Sequence, residues 1–362
     1  MEIIRQCTIK APDAAAAAFP GAARLSNGDI ILHFGAASDF ESSDKHMMQA
    51  RSRDNGNTWQ VEQCIAATDC LKTAEPFTFN CKPVLLDNGS IIAAGYGFLR
   101  DRPDMGLSDY AEKFKRFPTV GNYLLRSNDN GKTYSAPEKI VHQYKGLEIS
   151  GPVLCGRDGK LRIFATPFEL NAAENLGVTL ISDNYGKTWQ EGGKFFRSGN
   201  IAPWEVRSVE LSSGRIMLVF WAFDLKDQKH LNNHIVFSDD GGISWSAPID
   251  TNLRGQASNW VKFGEKTALL QARREGENPG IYLNILETFD GITPRFAEDI
   301  CLWDASGKAN SGVRIEEQFA ALKFGQPSGL VLDDGTWLLI FWCKANDNYT
   351  VQAWKIKNPF VQ

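Results

Sequence analysis

The chain has 362 residues, 43% of them hydrophobic and 23% charged, with a formal net charge of −4. That is the make-up of a soluble globular protein. It excludes a nucleic-acid polyanion as the main partner, because phosphate binding needs clustered Lys and Arg and no such block occurs.

In chain order, Met1-Glu2-Ile3-Ile4-Arg5-Gln6 lacks a basic-then-apolar leader pattern, and Ala14–Ala18 is too short to span a bilayer. No membrane association is expected, and a cytoplasmic location is the default; a secreted protein already trimmed of its leader would read the same way. Ile3–Lys10 is a first strand-like run. Six copies of one unit follow, each an apolar run, a turn with Gly and a longer apolar run. They are Ala22–Phe34, Pro83–Tyr96, Pro152–Ala165, Val206–Trp221, Trp260–Gln271 and Ser328–Trp342. Asn27-Gly28, Asn88-Gly89, Asp158-Gly159 and Asp334-Gly335 are strong hairpin signals.

A second motif comes after the first four units. It reads Ser-x-Asp-x-Gly-x-Thr-Trp, with Asn or Ser allowed at single positions. The copies start at Ser52, Ser127, Ser182 and Ser238, and a worn fifth spans Thr288–Thr293. Asp can bond backbone N–H groups, Gly can take φ > 0, and Trp or Tyr adds a large buried surface. Helical periodicity is nearly absent; Ser108–Lys115 is the best helix candidate. The 7 Cys contain no CxxC pair and mostly fall in strand-like runs, so they read as buried free thiols.

Repeats of this period give one all-β domain over residues 1–362, a six-bladed propeller of four-stranded antiparallel blades. Ile3–Lys10 would supply the strand missing from blade 6. Long loops would share one rim, among them Gly35–His46, Phe98–Gly121 and Phe223–Asn233. The first strand of each blade would open into the same mouth. The candidates there are Asp39 and Asp44 in the first loop, Lys82, Trp204, Glu205, Arg207, Trp260, Arg273, Arg274 and Gln326. Of Arg273 and Arg274, alternation sends one to the mouth and one to the neighbouring sheet. Paired carboxylates, basic groups and aromatic platforms suit an anionic or hydroxyl-rich sugar. His230 and His234 stand four apart in a loop, which is no metal signature; neither metal nor cofactor is expected.

The Ser-x-Asp-x-Gly-x-Thr-Trp turns resemble the Asp-box (BNR) repeats of the sialidase (neuraminidase) superfamily, and the resemblance runs the length of the chain. It implies a propeller and a sialidase-like exo-glycoside hydrolase acting on a terminal, acidic sugar. Asp44 then takes the place of the general acid, with Asp39 as its substitute. Glu205 heads a Glu-x-x-x-x-Glu-Leu-x-x-Gly pattern ending at Gly214, and becomes base or nucleophile. Arg207, Arg273, Arg274 and Lys82 would hold the substrate. The family's first Arg is absent at Ala18-Phe19-Pro20, and its second and third would fall near Trp221 and Gly280. Its nucleophilic Tyr is replaced in Gln326-Pro327-Ser328-Gly329-Leu330. The alternative is a carbohydrate-binding propeller without turnover; a scaffold for another protein is a third reading.

Overall fold

The computed structural model describes residues 1–169, 172–289, 293–309 and 315–360. It is 53% strand and 3% helix. β1 (Ile3–Ile9) precedes a meander of β2 (Ala16–Arg24), β3 (Ile30–Ala37), β4 (His46–Ser52) and β5 (Gln60–Ala66). The next meander is β6 (Phe77–Leu85), β7 (Ile91–Leu99), β8 (Thr119–Ser127) and β9 (Glu138–Lys139), with helix α1 (Leu107–Phe114) between β7 and β8. A third holds β10 (Leu147–Glu148), β11 (Leu154–Cys155), β12 (Leu161–Pro167), β13 (Asn175–Ser182) and β14 (Gln190–Ser198). The fourth holds β15 (Ile201–Glu210), β16 (Ile216–Asp224), β17 (Lys229–His230), β18 (His234–Ser238) and β19 (Ile249–Asp250). The fifth holds β20 (Ala257–Phe263), β21 (Lys266–Arg273), β22 (Gly280–Phe289), β23 (Pro294–Phe296) and β24 (Ile300–Asp304). After helix α2 (Ile315–Ala320) come β25 (Phe324–Val331), β26 (Thr336–Ala345) and β27 (Asn348–Lys357).

Pairing is antiparallel within each meander, and β1 lies antiparallel to β27, from Ile3↔Ile356 to Ile9↔Val351. One parallel bridge, Ala16↔Tyr349, joins the last meander to the first. The hydrogen-bonded sheets among the described residues therefore number five, one of them eight-stranded, instead of six separate units. The second strands β3, β16 and β26 are buried on both faces almost throughout, and their Ile, Leu, Phe and Trp fill the layers between sheets. The expected helix is α1. The expected burial of the cysteines fails in part: Cys81 and Cys343 are buried, but Cys64, Cys155 and Cys301 are exposed. Cys64 and Cys301 stand on the outer strands β5 and β24, and Cys155 stands at the end of the two-residue strand β11.

Two strands begin earlier than the sequence pattern suggests. β2 starts at Ala16 and β15 at Ile201, where the apolar runs suggest Ala22 and Arg207. Proline and glycine there read as breakers, yet the strands pass through them by bulging. Register slips between Ala18 and Gly21, between Trp204 and Arg207, and between Gly325 and Ser328. Phe19, Glu205 and Gln326 take left-handed φ of 58°, 51° and 45° at these points. Pro20 and Pro327 follow at the unpaired step, where no ladder N–H is missed.

The four described Asp-type turns repeat one hydrogen-bond set. In the first, Ser52 Oγ donates to Asp54 Oδ1 (2.9 Å) and accepts from Gly56 N–H (2.8 Å), while Thr58 N–H and Oγ1 donate to Asp54 (2.8 and 2.6 Å). Asp129 and Asp240 do the same. Asn184 keeps the set by reversing one bond, its amide donating to Thr188 Oγ1 (2.7 Å). The worn fifth copy falls partly outside the described residues. Arginines of preceding sheets clasp three of the turns: Arg51 reaches Asn130 O, Arg126 reaches Tyr185 O and Arg162 reaches Gly241 O.

Asp129→Ala removes the acceptor that organises its turn and is expected to cost about 1–2 kcal/mol; an unchanged denaturation midpoint would contradict this. His33 is fully buried, its Nε2 between Gln49 Oε1 (3.2 Å) and Tyr134 Oη (2.9 Å). Burial pulls it down to about 3, against a smaller upward pull from Gln49. The folded His33 stays neutral where the unfolded chain takes up a proton. Stability present above pH 6.5 is thus lost as pH falls toward 3, by about 1.4 kcal/mol per pH unit for this group. His33→Gln is expected to flatten the fall of Tm between pH 6 and pH 4; equal slopes in both proteins would remove His33 as its source.

Candidate functional site

The first strands of the meanders meet around a cavity of about 150 Å³ lined by Pro20, Lys82, Pro152, Arg207, Trp260 and Gln326, among others. Pro20 and Gln326 reach it from two of the bulges, while Phe19, Glu205 and Glu148 are not among its lining residues. Lys82 Nζ donates to Phe19 O (3.3 Å), Pro20 O (2.9 Å) and Gln326 Oε1 (3.3 Å). Its stem runs over Gly21, where a Cβ would lie 2.8 Å from Lys82 Cγ. Gln326 Nε2 donates in turn to Glu205 Oε1. The Glu205 N–H, turned by the left-handed backbone, donates to Glu148 Oε2 (3.3 Å), which also accepts from Thr166 Oγ1 (3.2 Å). Arg207 donates to Ser150 Oγ (2.8 Å) and Val206 O (2.9 Å). Glu205 Oε2 is buried and has no hydrogen-bond partner among the described residues.

These groups perturb one another. Burial, reinforced by Glu205, pushes the Glu148 carboxyl up to about 8, against the hydrogen bond from Glu205 N–H and the charge of Arg207. Burial and the positive Arg207 pull Lys82 down to about 7, with Glu205 opposing. Burial lowers Arg274 to about 10, again against Glu205. Burial also raises the Tyr96 phenol, with Glu148 and Glu205 adding to the effect. At pH 7 the two guanidiniums and a partly charged amine therefore outweigh the carboxylates, since Glu148 is mostly protonated. The site favours an anion.

The other sequence-derived candidates divide. Arg274 is buried, its Nε donating to Phe324 O (2.7 Å) and Nη1 to Gln256 O (3.1 Å). Arg273 points the other way, into an ion pair with Asp299 and over the Tyr282 ring at 4.4 Å. Trp204 stacks on Phe223 at 5.0 Å and meets Trp221 edge-on at 5.2 Å. Trp260 is 5% exposed and belongs to a core cluster with Val209, Met217 and Leu269. Asp39 braces its own loop by accepting Phe40 N–H (2.7 Å). Asp44 is exposed and accepts Ser38 N–H (3.1 Å) and Ser42 Oγ (2.5 Å). Burial works to raise its pKa, but these hydrogen bonds outweigh it and hold the carboxyl below the usual range. Its loop approaches the cluster through Lys45, whose Nζ lies 4.8 Å from the Phe19 ring centroid.

Sequence reasoning missed Glu148 and Tyr96. Their one signal was a charge and a hydroxyl inside apolar runs. His230 binds within the protein, accepting Trp221 Nε1–H at Nδ1 (2.8 Å) and facing Gln318 Oε1 (2.7 Å) and Glu275 Oε1 (3.1 Å) with Nε2.

A family model for the BNR/Asp-box repeat matches residues 236–247, the fourth turn. The chain carries a BNR/Asp-box repeat and resembles sialidases in sequence. A sialidase of Micromonospora viridifaciens is 24% identical over 235 residues, which is 59% of this chain and 33% of that protein. The chain thus matches about a third of the length of that curated relative. Among solved structures, a protein of unknown function from Dyadobacter fermentans superposes with a TM-score of 0.76 at 20% identity, covering 99% of both chains. The NanB sialidase of Streptococcus pneumoniae superposes with a TM-score of 0.67 at 13% identity, over 98% of this chain and 70% of that one. These structural likenesses establish the fold.

Proposed function

We propose that the six meanders are the blades of a six-bladed propeller closed by β1 on β27, and that the chain is an exo-acting glycoside hydrolase for a terminal acidic sugar. Glu205 is its base or nucleophile. The observation that carries this reading is the Glu205 carboxylate. One oxygen is held by Gln326, while the other is buried without a partner among the described residues, beside Arg207 and Lys82. An unpartnered buried carboxylate oxygen is costly, and a bound water or sugar hydroxyl relieves it. The surplus positive charge supports an acidic sugar. Asp44, ionised and exposed, suits contact with substrate hydroxyls better than proton donation.

Gln326, standing where the resemblance implies a nucleophilic Tyr, favours the second reading of a carbohydrate-binding propeller without turnover. A screen of 4-nitrophenyl glycosides of sialic acid, glucuronic acid and neutral sugars separates the two. Glu205→Gln is expected to lower kcat at least about 100-fold at unchanged Tm, and full activity in that variant would refute its role. Asp44→Asn is expected to raise KM and to change kcat less than about tenfold. Binding of free sialic or glucuronic acid without turnover of any glycoside would leave the binding reading standing. Calorimetric affinity for these acids is expected to fall from pH 6 to pH 8 as Lys82 loses its proton, and Lys82→Met is expected to bind more weakly at pH 6 with a flatter profile. A rise in affinity over that range would contradict the assignment of Lys82.

A further inference from the structure

We propose that Glu148 is the proton donor to the leaving group, paired with Glu205; this rests on the glycosidase reading of the same site. Glu148 lies at the head of the third meander, 9% exposed, across β10 and β12 from Thr166. Its Oε2 is engaged by the Glu205 N–H and Thr166 Oγ1, while Oε1 carries no hydrogen bond among the described residues. The free oxygen is the one able to hold and deliver a proton. The charged and titratable groups acting on Glu148 are Tyr96 from β7 and Glu205 and Arg207 from β15, with Lys82 of β6 beside Glu205 and Arg207. Burial and a neighbouring carboxylate keep Glu148 protonated at neutral pH. A protonated carboxyl held next to a second carboxyl is the pairing that acid–base glycoside cleavage uses. Asp44 has the opposite environment, exposed and hydrogen-bonded as the anion.

The step balances. The Glu148 Oε1 proton passes to the glycosidic oxygen as the anomeric C–O bond breaks, and the electron pair leaves with that oxygen. Water adds to the anomeric carbon and gives its proton to Glu205. Exchange with solvent returns one proton to Glu148 and removes one from Glu205.

A donor is needed for a poor leaving group and hardly for a good one. The test compares the methyl and 4-nitrophenyl glycosides of sialic and glucuronic acid on wild type, Glu148→Gln, Glu148→Asp and Glu205→Gln, with Tm as a check on folding. Glu148→Gln is expected to lose at least about 100-fold in kcat/KM on the methyl glycoside and less than about tenfold on the nitrophenyl one. The alkaline limb of kcat near pH 8 is expected to vanish in that variant, while the Lys82-dependent fall in binding remains. Glu148→Asp, which keeps an acid, is expected to recover part of the methyl-glycoside activity, and Glu205→Gln to lose both substrates. Equal losses on the two substrates in Glu148→Gln, or no loss, would overturn the assignment while leaving the glycosidase reading intact. A leaving-group-dependent loss in Asp44→Asn would overturn it in favour of Asp44. No turnover of either glycoside by wild type would remove the glycosidase reading and the proton donor with it.

Discussion

The mouth of this protein depends on one departure from strand geometry. In three first strands a single non-glycine residue enters the left-handed region, at Phe19, Glu205 and Gln326. Such a conformation costs on the order of 1–2 kcal/mol for each residue. It persists because the groups it frees find partners across the mouth: Lys82 takes the carbonyls of Phe19 and Pro20, Gln326 takes Glu205, and the Glu205 N–H takes Glu148. The strain and the polar network support each other, and straightening any one strand would leave several buried groups unpaired.

The two ends of the sheets are built from different chemistry. At the Asp-type turns the Ser, Asp or Asn, and Thr or Ser side chains satisfy one another and the turn N–H groups within seven residues, and arginines from neighbouring sheets clasp three of the turns from outside. At the mouth, charges are buried and imperfectly matched, and Glu205 keeps an oxygen without a partner among the described residues. Turns braced by their own side chains at one end allow a strained, charged constellation at the other.

Most of the strands and all four Asp-type turns were legible in the sequence, because a period of two and the turn residues carry their own local signals. Parts of the site were not. Pro20 and Pro327 disguised strand as loop, since a bulge is a tertiary accommodation. Glu148 looks unremarkable in Leu147-Glu148-Ile149, and its raised pKa comes first from burial and then from Glu205 of β15, neither of which local sequence reveals. Alternation foretold that Arg273 and Arg274 part ways but left open which faces the mouth; the Asp299 ion pair decides it. Trp260 offered an aromatic platform; it borders the cavity but is packed into the core among Met217 and Val219 of β16 and Leu269 of β21.

The pairing of β1 with β27 imposes an order on synthesis. Ile3–Ile9 leaves the ribosome well before its partner at Val351–Ile356, which emerges more than three hundred residues later. Translation puts on the order of tens of seconds between them. Through that interval the early segment must stay unpaired without joining another chain. Arg5, Gln6 and Thr8, interleaved among its apolar residues, are the kind of polar interruption that keeps a waiting edge from aggregating.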